Sequence, residues 1–248
     1  MIEGLYVSGS SMLPNMSKQD IIANNVANID VPGFKRDGLF LKELGEARKK
    51  GSGGYPEWRI NRVEGIYTDF EQGILRHTDN PLNFALHGDG FFTVQAPDGT
   101  ERYTRNGSFT LNGDGILMNH LGMPVLGEGG QIVIGEGEFV IDQNGLVLMD
   151  GEELDIILLK DFERDVQGLY PLMKTENGLF VALPIAVERP LDPETRLLQR
   201  FLEESNVDPV LEMVNMIDSF RNYEADQRFI QIQDETLNKA VNTVGAIS

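Results

Sequence analysis

The chain has 248 residues with 39 Asp+Glu against 21 Lys+Arg, giving a formal net charge of -18, and it contains no cysteine. The absence of thiols excludes a disulfide scaffold, a thiolate zinc site, an iron–sulfur site and a cysteine nucleophile. The acidic balance argues against nucleic acid, whose phosphate backbone needs a positive surface, while a 41% hydrophobic content is that of a chain able to build a core.

At the N-terminus, Ile2, Leu5, Gly9, Met12, Met16, Gln19, Ala23 and Val26 recur at steps of three and four, the spacing of one helix face. Pro14 is expected to kink or interrupt this helix, and Val31-Pro32-Gly33 to end it. Glu3, Gly4 and Ser8 to Ser11 leave no positive n-region or apolar h-region, so no cleavable signal is expected. No stretch approaches the roughly 18 apolar residues of a membrane span.

Residues 31–62 hold Lys35, Arg36, Lys42, Arg48, Lys49, Lys50, Arg59 and Arg62 against Asp37, Glu43, Glu46 and Glu57, a local excess of positive charge. This segment, with Gly51-Ser52-Gly53-Gly54 inside it, reads as a solvated basic loop or a contact to another acidic subunit. From residue 81 the texture becomes short β-type runs separated by Pro97-Asp98-Gly99, Asn112-Gly113-Asp114-Gly115 and Asn144-Gly145. These are hairpin signals, and their spacing suggests an all-β domain. The two asparagine-rich turns faintly resemble calcium loops but lack the full alternating ligand run.

The C-terminal run is the most periodic. Met213, Met216, Phe220, Tyr223, Gln227, Ile230, Asp234, Leu237, Val241 and Val244 follow a heptad a/d pattern, and all but Gln227 and Asp234 are apolar. Asp208 can cap this helix and Pro209 suits its first turn, so the spacing predicts a helix over about 209–244. The expected fold is therefore α+β: long N- and C-terminal helices (1–30 and 205–248) forming one discontinuous coiled-coil domain, a connector over 31–80 and a β-rich outer domain over 81–204. The competing arrangement packs both helices onto the sheet. His77, His87 and His120 share no metal-ligand spacing, and no catalytic, cofactor or metal motif is present.

Three blocks together carry a family resemblance. Ile22-Ala23-Asn24-Asn25-Val26-Ala27-Asn28 with Pro32-Gly33-Phe34-Lys35-Arg36 resembles the N-terminal signature of the flagellar rod and hook axial proteins. Ser205-Asn206-Val207-Asp208, Glu212 to Ile217 and Arg221-Asn222-Tyr223-Glu224 are similar to their C-terminal signature. Gly88-Asp89-Gly90-Phe91-Phe92 and Tyr103 to Phe109 resemble their central β domain. Within the family, the lack of a long inserted domain speaks against the hook subunit, and the Gly122-Met123-Pro124-Val125-Leu126-Gly127-Glu128 stretch and the short length look most like the proximal-type rod subunit, with the distal rod subunit second.

The resemblance implies a structural subunit without enzymatic activity or cofactor, located in the flagellar basal body as part of the periplasmic rod. It implies export through the flagellar export apparatus with no cleaved signal, and polymerisation with itself and neighbouring rod and hook axial proteins. Zero cysteines suits a chain threaded unfolded through a channel. Subunit contacts are expected at Leu5, Met12, Met16, Ala23, Asn24, Asn25, Val26, Asn28, Gly33 and Phe34, and at Met213, Met216, Phe220, Tyr223, Ile230, Leu237 and Val241. Asn24, Asn25 and Asn28 either fix the turn out of the helix or cap its end. Gly33 would permit a positive φ or a close backbone approach. A β-rich binding module on a coiled-coil stalk is the alternative from another functional class.

Overall fold

The computed structural model describes residues 2–45, 59–135, 139–175 and 177–245. The chain divides into two compact units: residues 1–27, 37–67 and 208–248 form one, and residues 28–36 and 68–207 the other. Gly51 to Gly54 and the neighbouring Arg48, Lys49 and Lys50 lie outside the described residues.

The larger unit is built from short antiparallel strands. Its central sheet has six, in the order Leu172–Lys174, Phe180–Ala182, Glu101–Thr104, Phe91–Gln95, Leu159–Phe162 and Glu188–Arg189. Adjacent side chains on a strand point to opposite faces, and Phe91 and Phe92 use this to feed two cores. Phe92 joins Phe84, Phe109, Leu117, Val125, Ile132, Val147 and Ile157 in the larger cluster. Phe91 joins Tyr103, Phe162, Tyr170, Leu172 and Phe180 in an aromatic one, where its ring lies 5.3 Å from that of Tyr170 in an edge-on arrangement. The turns are closed by their own side chains: the Asn112 carboxamide oxygen accepts from the amides of Asp114 and Ile116 at 2.9 and 2.8 Å. These oxygens serve turns, and among the described residues no group of three or more His, Asp and Glu is placed to hold a metal ion.

Two strands close this unit from the far end of the chain. Arg196–Gln199 pairs with Phe84–His87, and Phe201–Glu203 pairs with Leu75–His77, all antiparallel.

The smaller unit contains a two-stranded sheet, Asp37–Gly45 with Arg59–Thr68, and the two helices found among the described residues. The shorter, α1, spans Ile2–Ala27, and α2 spans Pro209–Gly245. Pro14 does not interrupt α1; it sits buried inside one continuous helix. Asp208 caps α2, its carboxylate accepting from the amides of Val210 and Leu211 at 2.8 and 3.1 Å.

The expected fold class is overturned. The α+β arrangement of long terminal helices joined in a discontinuous coiled-coil domain is not present: a β-rich body holding seventeen of the nineteen described strands dominates the chain, with one helix at each end. The physical reason lies in the seam. A coiled coil needs apolar residues at both a and d facing the partner helix. In α2 the expected a positions Met213 and Phe220 are exposed, and the buried residues are their preceding neighbours Glu212 and Ser219.

Candidate functional site

The three signature blocks place different residues in different settings. In the smaller unit, Asn25 is fully buried near the end of α1. Its carboxamide nitrogen donates to the Asp37 carbonyl at 2.9 Å, and its oxygen accepts from the Asp37 amide at 2.9 Å. One side chain thus satisfies both polar groups of one peptide position and fixes where the first strand begins. Of the two roles open to the asparagines, Asn25 fixes the chain leaving the helix; Asn24 is exposed and Asn28 half-buried.

In the larger unit, residues 33–36 are fastened to residues 203–206. Gly33 has a φ of +67°, and a Cβ there would lie 2.4 Å from the Arg105 carbonyl carbon and 2.5 Å from the Asn106 nitrogen. No other residue fits without displacing that backbone. The Gly33 amide donates to the Glu203 carbonyl at 2.7 Å. Phe34 is buried beneath the Lys174 ammonium, 3.7 Å from the ring centroid. The Lys174 ammonium also donates to the Lys35 carbonyl at 2.6 Å. The Asn206 oxygen accepts from the Arg36 amide at 2.8 Å while its nitrogen donates to the carbonyls of Asp69 and Glu71 at 2.9 and 3.1 Å.

At the centre of this junction is a buried charge cluster. The Lys35 ammonium donates to Glu203 Oε1 at 2.6 Å and to the Glu71 carbonyl at 2.7 Å. The Gly73 amide donates to the same carboxylate oxygen at 3.0 Å. Arg105 Nη1 lies 3.5 Å from Glu203 Oε2, with the guanidinium carbon 5.2 Å above the Phe91 ring. Two cations therefore share one carboxylate out of contact with water. Burial lowers the Lys35 pKa below its ordinary 10.5 and the Arg105 charge adds to this, against the opposing pull of Glu203.

A second cluster organises the glycine-flanked Asp89. Gly90 has a φ of +121°, which turns the chain so that Asp89 accepts from Arg164 at 2.7 Å and from Arg189 at 2.9 Å. Arg189 also donates to the buried Asp161 at 2.6 Å. These contacts tie the start of one central strand to its neighbour Leu159–Phe162 and to the edge strand Glu188–Arg189 beyond it.

The sequence-predicted contact residues do not form one site. On α1, Met16 and Ala23 are exposed, and Met12 and Val26 half-buried; Gly33 and Phe34 are buried in the junction. On α2, Met213 and Phe220 are exposed, and Met216, Tyr223, Ile230 and Leu237 half-buried. The side chains of Leu5 and Val241 lie outside the described residues. Sequence reasoning missed Glu203, Arg105 and Asn206 as partners and placed Lys35 in a solvated loop, which the structure corrects. The available signal was a lysine directly after Gly33-Phe34 and an arginine between Tyr103-Thr104 and Asn106-Gly107, each beside glycine and aromatic residues.

Comparison with known proteins decides the family. Residues 5–35 match the family model described as flagella basal body rod protein. Residues 85–149 match that of the flagellar hook protein FlgE/F/G D1 domain, and residues 198–243 that of the flagellar basal body rod FlgEFG protein C-terminal region. The chain is 32% identical to the flagellar basal-body rod protein FlgF of Caulobacter vibrioides over 257 aligned residues, with 100% of both chains covered.

The chain belongs to the flagellar basal-body rod protein family.

Other members of this family are similar over comparable lengths. The FlgF rod protein of Salmonella typhimurium is 31% identical, with 97% of each chain covered. The FlgG rod protein of Buchnera aphidicola is also 31% identical, over 96% of this chain and 98% of its own. As a rod-family member the chain is a structural, non-enzymatic subunit of the flagellar basal body that assembles with other axial proteins. The family models cover the two helices and the junction, so the buried Lys35–Glu203 cluster sits where the N-terminal and C-terminal signatures meet. No helix among the described residues is long and apolar enough to cross a membrane.

Proposed function

We propose that this rod subunit polymerises through its terminal segments, residues 1–30 and 205–248, with residues 31–80 as connector and the acidic body over 81–204 on the outside of a hollow axial shaft. The observation that carries this reading is the outer face of α2. Val210, Met213, Val214, Ile217 and Phe220 fall on one side of its first turns, and all five are exposed. A contiguous apolar stripe of this size on a helix marks a protein contact. Leu13 and Met16 of α1 are exposed as well. The lack of a long inserted domain speaks against the hook subunit, and we favour the proximal-type rod position on the short length and the Gly122 to Glu128 stretch, with the distal rod position second. Export through the flagellar apparatus accords with the lack of thiols.

The test is a chain carrying Val214→Asp and Ile217→Asp, two changes on the solvent side of α2. It is expected to be exported at the normal level yet to leave basal bodies without this rod segment when they are viewed by electron microscopy. Normal rods built from this variant would overturn the reading.

A further inference from the structure

Four asparagine-glycine pairs lie in the body, at residues 106–107, 112–113, 144–145 and 177–178. The dipeptide carries a reaction of its own: the glycine amide nitrogen can attack the asparagine Cγ, and no glycine Cβ stands in the way. Attack needs a glycine peptide that is free to move and a carboxamide held beside its nitrogen. The fold grants or withholds each of these.

Three of the pairs are closed. The Asn106 oxygen accepts from the Ser108 amide at 2.9 Å, but Gly107 is buried, and a Cβ there would collide with the Phe84 carbonyl, so that peptide is wedged in place. The Gly145 amide donates to the Asp142 carbonyl at 2.9 Å, and the Asn144 carboxamide nitrogen donates to Asp142 Oδ2 at 3.2 Å. The Gly178 amide donates to the Thr175 carbonyl at 3.1 Å. An amide that must first give up such a bond reacts about tenfold more slowly than a free one.

Asn112-Gly113 is open. It lies in the turn between the paired strands Phe109–Leu111 and Leu117–Asn119. Gly113 is exposed, and its amide has no hydrogen-bond partner among the described residues. The Asn112 oxygen accepts from the Asp114 and Ile116 amides at 2.9 and 2.8 Å. A bond to the residue two ahead lays the carboxamide along the 112–113 peptide and keeps Cγ within reach of the Gly113 nitrogen. The same two amides stand ready for negative charge developing on that oxygen.

We propose that Asn112 is a modification site, at which the body deamidates through a cyclic imide. The Gly113 amide gives its proton to a solvent base, its nitrogen bonds to Asn112 Cγ, and the carbonyl electron pair moves onto the oxygen. When that pair returns, the Cγ–Nδ2 bond breaks and the nitrogen leaves as ammonia with a proton from water. Water then opens the ring at one of its two carbonyls. Breaking the Cγ–N bond gives aspartate, which still accepts from both amides and adds one negative charge. Breaking the backbone C–N bond gives isoaspartate, which routes the chain through Cβ and Cγ and lengthens the turn by a methylene. The proposal is independent of how copies assemble.

The test ages the full-length chain in warm, mildly alkaline buffer made with oxygen-18 water, and follows each asparagine by tandem mass spectrometry after digestion. Asn112 is expected to deamidate about tenfold faster than the other three, with one labelled oxygen per event and with both products separated by chromatography. In denaturant the preference is expected to disappear. Gly113→Ala is the control. Gly113 lies outside the left-handed region and an added Cβ meets nothing within 4 Å, so the turn is kept while the new methyl crowds the attacking nitrogen. This variant is expected to bring Asn112 down to the level of the other sites. Equal rates at all four sites of the folded chain, or a slower Asn112, overturn the proposal. So does an unchanged rate in Gly113→Ala, which would assign the loss of ammonia to direct attack by water.

Discussion

The Lys35–Glu203–Arg105 cluster shows how much a few residues contribute here. Isolated buried charges are costly, and a buried pair is tolerated when hydrogen bonds complete it. Glu203 meets this condition at one oxygen, Oε1, through the Lys35 ammonium and the Gly73 amide, while its Oε2 faces Arg105 Nη1 at 3.5 Å as an ion pair without a hydrogen bond. Glu203→Gln leaves both cations without a counter-charge and is expected to destabilise the body by about 3–5 kcal/mol, measured by denaturant unfolding. A loss under about 1 kcal/mol, the range of an exposed pair, would show that water reaches the cluster. Lys35 also gives a pH signature. Its pKa is lowered in the folded chain, so between that lowered value and the ordinary 10.5 the unfolded chain binds more protons and stability rises with pH. Tyr103 acts oppositely: burial and its bond to Glu101 push its pKa up to about 12, so stability falls as pH rises beyond its ordinary 10.0. The Lys35 contribution is therefore expected as an upward slope on the alkaline side below pH 10, and Lys35→Met should remove it. The same slope in that variant would assign it to another group.

At the scale of elements, the legible features were those decided locally. The Asp208 cap and the asparagine-closed turns rest on side chains bonding to a backbone two to four residues away, so the sequence carries them in full. The seam of α2 was not legible. Periodicity registers which residues are apolar, yet Met213 and Phe220 belong to a stripe that faces away from α1, and the polar residues beside them were invisible to a hydrophobic count. Pro14 misled for a related reason: the rule concerns the local hydrogen bond it removes and the clash it introduces, and it does not weigh the burial of the proline itself within the 26-residue helix. The junction was legible only as motif. Gly33 and Phe34 were singled out, but that Lys35 meets Glu203 depends on the pairing of Phe201–Glu203 with Leu75–His77, which no local pattern announces.

Across the whole molecule, charge is unevenly distributed. The chain carries -18 overall, and most of the excess falls on residues 63–204. Exposed ion pairs such as Lys160 with Glu101 and Glu188 offset only part of it. Like charges over one surface repel, and salt screens them with a length of about 10 Å at 0.1 M. The melting temperature at neutral pH is therefore expected to rise from low to physiological ionic strength, by calorimetry. A fall would mean that the surface pairs outweigh the repulsion.

The fastening of residue 35 to residue 203 also orders events in time. Several of the body's strands, such as Phe91–Gln95 with Glu101–Thr104, Phe109–Leu111 with Leu117–Asn119 and Phe139–Ile141 with Leu146–Met149, can pair through short hairpins as soon as they exist, because those contacts lie close in sequence. The Lys35–Glu203 contact spans 168 positions, and the strands that bring Glu203 into place are the last before α2. A chain emerging from the ribosome, or threaded from either end through a narrow passage, can build the middle of the body early. It cannot bury this pair until the other end has arrived. Closure of the junction is thus the slow, long-range step of folding, and it reports that nearly the entire subunit is present.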